Sequence, residues 1–265
     1  MSQGNLIRGL SLGKGGNSGD YFIEAASGNI PGTLDDRMVG RRINVASTVM
    51  TTLWDHSTNL VYLTADTQLY ASSTSALDTD VTILVQGLDS NYIQISRLVT
   101  VTGQTQVALS GLMFRVHTAI VLDTSPVGTI YIAESDTLSV GIPTTASKIK
   151  SRIRLAPNDS GAYASYNITH NGFFTVPAGK QLNILGIFNT VARADNIQID
   201  IRARSEGGAW LSLNMIWAYE SPAPLPYMQR PRIDEKSDIE IRVLASAPNQ
   251  VIEVNAQFML IDKVQ

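Results

Sequence analysis

Residues 80–103 read DVTILVQGLDSNYIQISRLVTVTG, and they indicate a β-hairpin. Aliphatic residues alternate with more polar ones over 81–86, turn residues follow, and a second alternation runs over 93–101. Because successive side chains of a strand point to opposite faces, this pattern predicts two strands with one aliphatic face. Arg97 has the parity of that face. We therefore expect a β-bulge near Ser96 that redirects it, or a sheet edge or subunit contact.

Short alternating segments of the same kind continue from Ile43 to the C-terminus, with turn residues between nearly every pair. Many short strands at such spacing predict an all-β protein, an antiparallel β-sandwich or jelly-roll. Three segments are expected: an extended Gly-rich arm over 1–42, a first β block over 43–150 and a second over 151–265. The two blocks either close one sandwich together or form two.

The composition limits the function classes. Charged residues make up 16% of the 265 residues, below the roughly 25% typical of soluble domains. The net charge of −3 gives no electrostatic footprint for nucleic acid or an anionic membrane. There is no cysteine, which excludes disulfides and thiolate metal sites. With no signal-peptide pattern and no 18-residue apolar run, we expect a soluble protein.

Residues that carry chemistry are scattered. The histidines His56, His117 and His170 lie in separate segments without the close spacing of a metal pair, and His117 is expected at the surface. Glu134 and Asp136 share strand parity, as glycosidase acids can, but the turn residues after them favour a solvated strand end. No G-x-S-x-G nucleophile elbow occurs. We expect no enzyme activity, no catalytic or metal residues and no cofactor.

Two further segments predict local structure. In FFTVPAG, Pro177 at the second position and Gly179 at positive φ suit a type II turn. The segment 196–205, NIQIDIRARS, predicts one strand with an isoleucine core face and a solvated face of Gln, Asp and Arg.

Three features suggest contacts with other proteins. The run RMVGRR over 37–42 is basic, the segment 221–238 is Pro-rich and suits a docking loop, and aromatic residues gather between Trp210 and Tyr227. One of Trp210 and Trp217 is expected in the core, and the other on an exposed platform. The candidate partner-contact residues are Arg37, Arg41, Arg42, Arg97, Trp217, Tyr219, Tyr227 and Arg230.

Several ordered motifs resemble a family of tailed-bacteriophage virion proteins. They are WD at 54–55, QGLDSNYIQIS at 86–96, FRV at 114–116, TVPAGK at 175–180 and EKSDIEIR at 235–242. The resemblance covers most of 50–265 and implies a structural role associated with the head or neck of the particle. Two departures concern surface contacts: HSTN replaces the family's Gly-rich segment after WD, and Arg97 replaces its acidic hairpin residue.

The leading hypothesis is a non-enzymatic virion protein, a capsid decoration or cement protein or another head-associated component, assembled in the bacterial cytoplasm. Its expected partners are the major capsid protein or other virion proteins and copies of itself, with a trimer favoured. A second hypothesis is a fiber, baseplate or receptor-binding module in which Trp217, Tyr219 and Tyr227 form a shelf for host glycan. A polysaccharide-degrading enzyme, which needs two carboxylates facing a cleft, ranks last.

Overall fold

The computed structural model describes residues 30–45, 49–56, 58–154, 167–191, 196–219, 225–226, 232–246 and 250–263. Within these residues every strand pair is antiparallel, and the helical structure is a single 3-10 turn, Ala146–Lys148. The all-β antiparallel class is therefore confirmed, while the jelly-roll topology stays a prediction.

Two sheets enclose a first hydrophobic core, which we call the C-core. Sheet A contains, in spatial order, β1 (Thr33–Val45), β19 (Gln250–Asp262) and β13 (Lys180–Val191), with the short β16 (Leu225–Pro226) and β17 (Arg232–Ile233) on β13. Sheet B contains β12 (Phe173–Thr175), β18 (Asp238–Ala245), β14 (Asn196–Arg204) and β15 (Leu211–Tyr219), with β2 (Thr51–Thr52) on β18. Alternate side chains of both sheets meet in the C-core, among them Ile199, Ile241, Val254 and Phe258.

Two other sheets enclose a second core, the N-core, with members from Leu63 to Ile153. Sheet C contains β11 (Ile149–Ile153), β8 (Ile130–Glu134), β3 (Leu69–Ser73) and β6 (Val107–Ala108). Sheet D contains β5 (Gln94–Val101), β4 (Val81–Leu88) and β7 (Arg115–Val121). A separate hairpin pairs β9 (Leu138–Ser139) with β10 (Ile142–Pro143).

The cores divide the chain differently from the three segments indicated by the sequence. Residues 33–42 do not belong to an arm, because β1 pairs along its length with β19 near the C-terminus. Residues 1–29 of the predicted arm lie outside the described residues. The boundary at 150/151 falls inside β11, which completes sheet C. The N-core unit is thus inserted into the C-core unit, between β2 and β12.

The opening hairpin forms as its alternation predicts. β4 and β5 pair from Val81 with Val101 to Leu88 with Gln94 without a register shift, so the predicted bulge near Ser96 is wrong. The bulge of sheet D lies instead between Gln86 and Gly87, opposite β7. The alternative expectation for Arg97 is confirmed, because β5 is an edge strand among the described residues.

The turn in FFTVPAG is shifted by one residue. The amide of Lys180 donates to the carbonyl of Pro177 at 3.2 Å, which places Pro177 at the first turn position instead of the second. Gly179 has φ +73°, so the positive φ predicted for it is confirmed. A side chain there would strain the backbone.

Candidate functional site at the junction of the two cores

A buried ion pair joins the two cores. Arg115, the first residue of β7 in the N-core unit, donates from Nε to Oδ1 of Asp238 at 3.0 Å and from Nη2 to Oδ2 at 3.3 Å. The remaining Nη1 of Arg115 donates to the carbonyl of Leu63 at 2.8 Å. Both charged side chains are buried, and the two-pronged geometry of the guanidinium matches the carboxylate. This contact fixes the start of β7 against the start of β18.

Neighbouring strands of sheet B extend this pair into a network. Arg204 on β14 donates from Nε and Nη2 to Oδ2 of Asp238 at 3.0 and 2.8 Å, and Thr175 donates to Oδ1 at 2.6 Å. Two residues further along the paired strands, Arg202 donates from Nε to Oε2 of Glu240 at 3.0 Å. The side of β14 that the sequence predicts to be solvated is therefore largely an ion-paired face.

Aromatic rings stack on the same guanidinium groups. The ring of Tyr62 contacts two of them, since the Cζ atoms of Arg115 and Arg204 lie 5.2 and 4.8 Å from its centroid. Trp210 lies over Arg202 at 4.3 Å and over Arg204 at 4.6 Å. A cation held over an aromatic face gains electrostatic energy, most strongly where water is excluded. Trp210 is half-buried on this stack and is not part of either core.

A second buried charge cluster centres on Asp55, which follows β2. Its carboxylate pairs with Arg41 of β1 at 3.4 Å, with Arg152 of β11 at 3.2 Å and with Arg154 at 3.2 Å. Burial alone raises the pKa of Asp55, but the three guanidinium charges outweigh it and hold the pKa below its usual value. One carboxylate therefore ties β1 of the C-core unit to β11 of the N-core unit.

Five residues of these two clusters lie in the ordered motifs of the sequence. Asp55 belongs to WD, Arg115 to FRV, Thr175 to TVPAGK, and Asp238 with Glu240 to EKSDIEIR. No role is predicted for these five residues from the sequence alone. A charged residue inside an alternating strand segment, as in FRVHTAIV, was the available signal, because such a residue needs a buried partner. Which partner it meets depends on contacts more than 100 residues away along the chain.

All three histidines have lowered pKa values. Burial, and then the charge of Arg115, lower the pKa of His117 to about 3. Its ring lies 4.2 Å from that of Phe174, and Nε2 accepts from the Thr175 amide at 3.2 Å. The expectation of a surface histidine at 117 is therefore wrong. Burial is also the first cause that lowers the pKa of His56 and His170 to about 4.

An open cavity of about 480 Å³ lies between the two units. Its lining includes Arg37, His117, Thr169, His170 and Asn255. Because the pKa values of both imidazoles are lowered to about 3 and 4, the histidines of this cavity are neutral at pH 7.

The candidate acids Glu134 and Asp136 each have a basic partner. Glu134 pairs with Lys150 at 2.8 Å, while Asp136 accepts from the Thr145 amide at 2.6 Å and pairs with Lys148 at 3.2 Å. Across the described ranges, no group of three His, Asp or Glu side chains is arranged to hold a metal ion. No helix in the described part of the chain is long and apolar enough to cross a membrane.

The predicted partner-contact residues differ in their exposure. Arg41 and Arg42 are buried, and Nη1 of Arg42 donates to the Thr52 carbonyl at 2.9 Å, so both belong to the interior rather than to a contact surface. Burial lowers the pKa of Arg42 to about 10. Arg37 is exposed and Arg97 is half-buried. Tyr227 and Arg230 lie outside the described residues.

The aromatic platform is described in part. Trp217 is 71% exposed on β15, and Tyr219 ends the same strand. The expectation that one of the two tryptophans is a core residue is wrong, because Trp210 caps the arginine stack and Trp217 faces outward.

Comparisons with known proteins give no family. No protein-family model and no curated protein sequence matches the chain. Among solved structures, the infectious bursal disease virus VP2 subviral particle aligns with a TM-score of 0.22 and 9% identity over 91% of this chain and 77% of that chain. The infectious bursal disease virus Gx strain structure aligns with a TM-score of 0.22 and 10% identity over 87% and 69%. Alignments at these values establish neither a shared fold nor a shared role.

Proposed function

We propose that the chain is a non-enzymatic structural protein of a tailed-bacteriophage virion, a decoration or cement protein or another head-associated component. One observation carries the proposal. Three charged residues of the motifs that resemble virion proteins, Asp55, Arg115 and Asp238, form buried ion pairs between the two units. Such pairs hold one arrangement of the units, which suits a protein that acts through its shape.

The proposal includes the finer architecture and the partners. Each pair of sheets around one core is a β-sandwich of the kind used in capsid proteins, with A on B and C on D. The partners are the major capsid protein or other virion proteins and further copies of the chain. The protein works in the virion without cofactor, nucleic acid or membrane.

The test is a quantitative protein inventory of purified particles of the phage that encodes the chain. A copy number in a fixed ratio to the major capsid protein supports a decoration role. A copy number equal to that of one ring of the neck supports the head-associated alternative. Absence from purified particles contradicts the proposal.

The second candidate, a fiber, baseplate or receptor-binding module, is favoured by Trp217 alone. An indole that is 71% exposed presents a face on which a sugar ring can stack. A glycan array with the purified chain tests it: binding that is lost in Trp217→Ala and kept in Leu77→Ala supports glycan recognition. A uniformly negative array argues against it.

A further inference from the structure

Strand β15 is an edge strand without the usual protection. Its nine residues, LSLNMIWAY, include no charged residue and no proline. On one side it pairs with β14, and none of the described residues pairs with its other side. A long uncharged edge presents a row of backbone donors and acceptors that a further strand can extend.

Three other edge strands of the described sheets, β1, β5 and β11, are protected. β5 carries Arg97, whose Nε donates to the Leu112 carbonyl at 3.3 Å, and the amide of Ser110 donates to the Leu98 carbonyl of that strand at 3.1 Å. β1 and β11 both carry buried arginine or lysine residues. Charges and covering loops are the common means of blocking edge-to-edge association, so β15 differs from these three edges.

Apolar side chains are exposed along the same strand. Leu211 is 68%, Met215 51% and Trp217 71% exposed. Singly exposed apolar residues are ordinary, but these three lie along one uncharged open strand and add apolar area to any contact made there. Met215 and Trp217 lie opposite Asp200 and Gln198 of β14, on the side of sheet B away from the C-core.

We propose that β15 is the contact surface for a second copy of this chain, which pairs antiparallel with it about a twofold axis and joins the two B sheets. A twofold contact brings the same residues together from both copies, and a charged strand would place like charges opposite each other. β15 is free of that penalty. The inference rests on the proposed function, in which the chain acts through contacts between subunits, and it replaces the favoured trimer with a twofold pair.

The first experiment measures the oligomeric state of the full chain by sedimentation velocity at concentrations around the micromolar dissociation constants of modest interfaces, about 1–100 μM. The wild-type chain is expected to be a dimer. Met215→Lys places two ammonium groups beside the axis and is expected to raise the dissociation constant by about tenfold or more. Leu77→Lys is the matched control, since Leu77 is 75% exposed in a loop of the N-core unit, and it is expected to remain a dimer.

The second experiment uses the natural absence of cysteine. Asn214→Cys and Met215→Cys are oxidised separately, together with Leu77→Cys as the control. Residues near a twofold axis meet their own copies, and a disulfide forms only when the Cβ atoms come within about 4.5 Å. A covalent dimer is expected from at least one of the β15 variants and not from the control.

A monomeric wild-type chain overturns the inference, as does a trimer, or a dimer that Met215→Lys leaves intact while neither β15 cysteine crosslinks. These outcomes are separate from those of the particle inventory. A chain found in particles but monomeric in solution keeps the proposed function and removes the β15 contact. A chain that forms the β15 dimer but is absent from particles keeps the β15 contact and contradicts the proposed function.

Discussion

Three arginines from different parts of the chain share the carboxylate of Asp55, which is buried. Removing one partner of a buried ion pair is more damaging than its formation is stabilising, because the remaining charges stay desolvated. Here the remaining charges would be three guanidinium groups that repel one another. Asp55 therefore offsets the electrostatic repulsion between the guanidinium groups of Arg41, Arg152 and Arg154.

Asp55→Asn is expected to lower the free energy of unfolding by about 3–5 kcal/mol, the range for breaking a buried pair. Urea denaturation followed by tryptophan fluorescence measures it. Asp80→Asn is the matched control, because Asp80 is exposed and bonds only to Thr79 within the described residues. A surface change of that kind is expected to stay within about 0.5 kcal/mol. Equal effects of the two variants would contradict the role given to Asp55.

His117 makes stability depend on pH. Its pKa in the folded chain is about 3 and about 6.5 in the unfolded chain, so the unfolded chain binds more protons between these values. Stability is full above pH 6.5 and is lost as the pH falls toward 3. At pH 5 the loss from this one group is about 2 kcal/mol.

His117→Gln removes this titration while keeping an acceptor for the Thr175 amide. We expect the unfolding free energy of the variant to fall less than that of the wild-type chain between pH 7.5 and pH 5, by about 2 kcal/mol. Urea titrations at the two pH values give this slope, the change in unfolding free energy with pH, for each chain. A loss of stability that is equal at both pH values cancels in the comparison. Identical slopes would show that His117 is already charged in the folded chain or titrates normally.

At the scale of the strand, Arg97 illustrates how an edge is protected. Its side chain packs against Gly111, where an added Cβ would lie 2.8 Å from Nε of Arg97, and it bonds to the Leu112 carbonyl. Gly111 therefore leaves room for a loop to close over the guanidinium. With valine in place of Arg97, β5 would read QISVLVTV and would be an uncharged edge strand.

Arg97→Val is expected to keep the fold and to increase association, because an uncharged edge strand can pair with another chain. Light scattering at pH 7 and raised temperature measures the rate of association of the variant and the wild-type chain at equal concentration. Arg97→Lys is the control: it keeps the edge charge and is expected to scatter like the wild-type chain. Faster association of both variants would attribute the effect to the lost Leu112 contact instead of the charge.

The strands differ in how well the sequence predicts them, for physical reasons. β4 and β14 alternate strictly because one face is core, and their inward residues Ile83 and Ile199 are buried as predicted. β1, TLDDRMVGRRINV, carries five charges, so its periodicity is hidden and the sequence favours an arm. Arg41 and Arg42 are buried there because the Asp55 carboxylate and the Thr52 carbonyl accept hydrogen bonds from their guanidinium groups. No local pattern shows those distant partners.

At the scale of the whole molecule, the arrangement is one β unit inserted into another. Among the described residues, the buried members of the N-core lie between Leu63 and Ile153, whereas the C-core takes Met38, Val45 and Leu53 from before the insertion and residues from 174 onward from after it. The small cluster of Trp54, Tyr131, Ala133, Ile149 and Phe173 lies apart from both. Sequence patterning predicts two successive blocks because it cannot show that β1, near the start of the chain, pairs with β19, near its end.

This insertion predicts which fragments fold. Residues 58–154 contain sheets C and D complete and are expected to unfold cooperatively on their own. Residues 151–265 lack β1 and β2, so β19 loses its partner along Thr33–Val45, and this fragment is expected to lack a cooperative transition. Far-ultraviolet circular dichroism with urea denaturation distinguishes the two results.

A rejoined chain provides the control for the second fragment. Trp54 and Asn171 form a β-bridge, so a short Gly–Ser linker can connect residue 56 to residue 167 in place of the whole N-core unit. The resulting chain, 30–56 followed by 167–265, restores β1 beside β19 and is expected to regain a cooperative transition. Its stability should fall below that of the full chain, since Asp238 loses Arg115 and Asp55 loses Arg152 and Arg154. Cooperative folding of 151–265 without the rejoined segment would show that β1 is dispensable and that the C-core is complete without it.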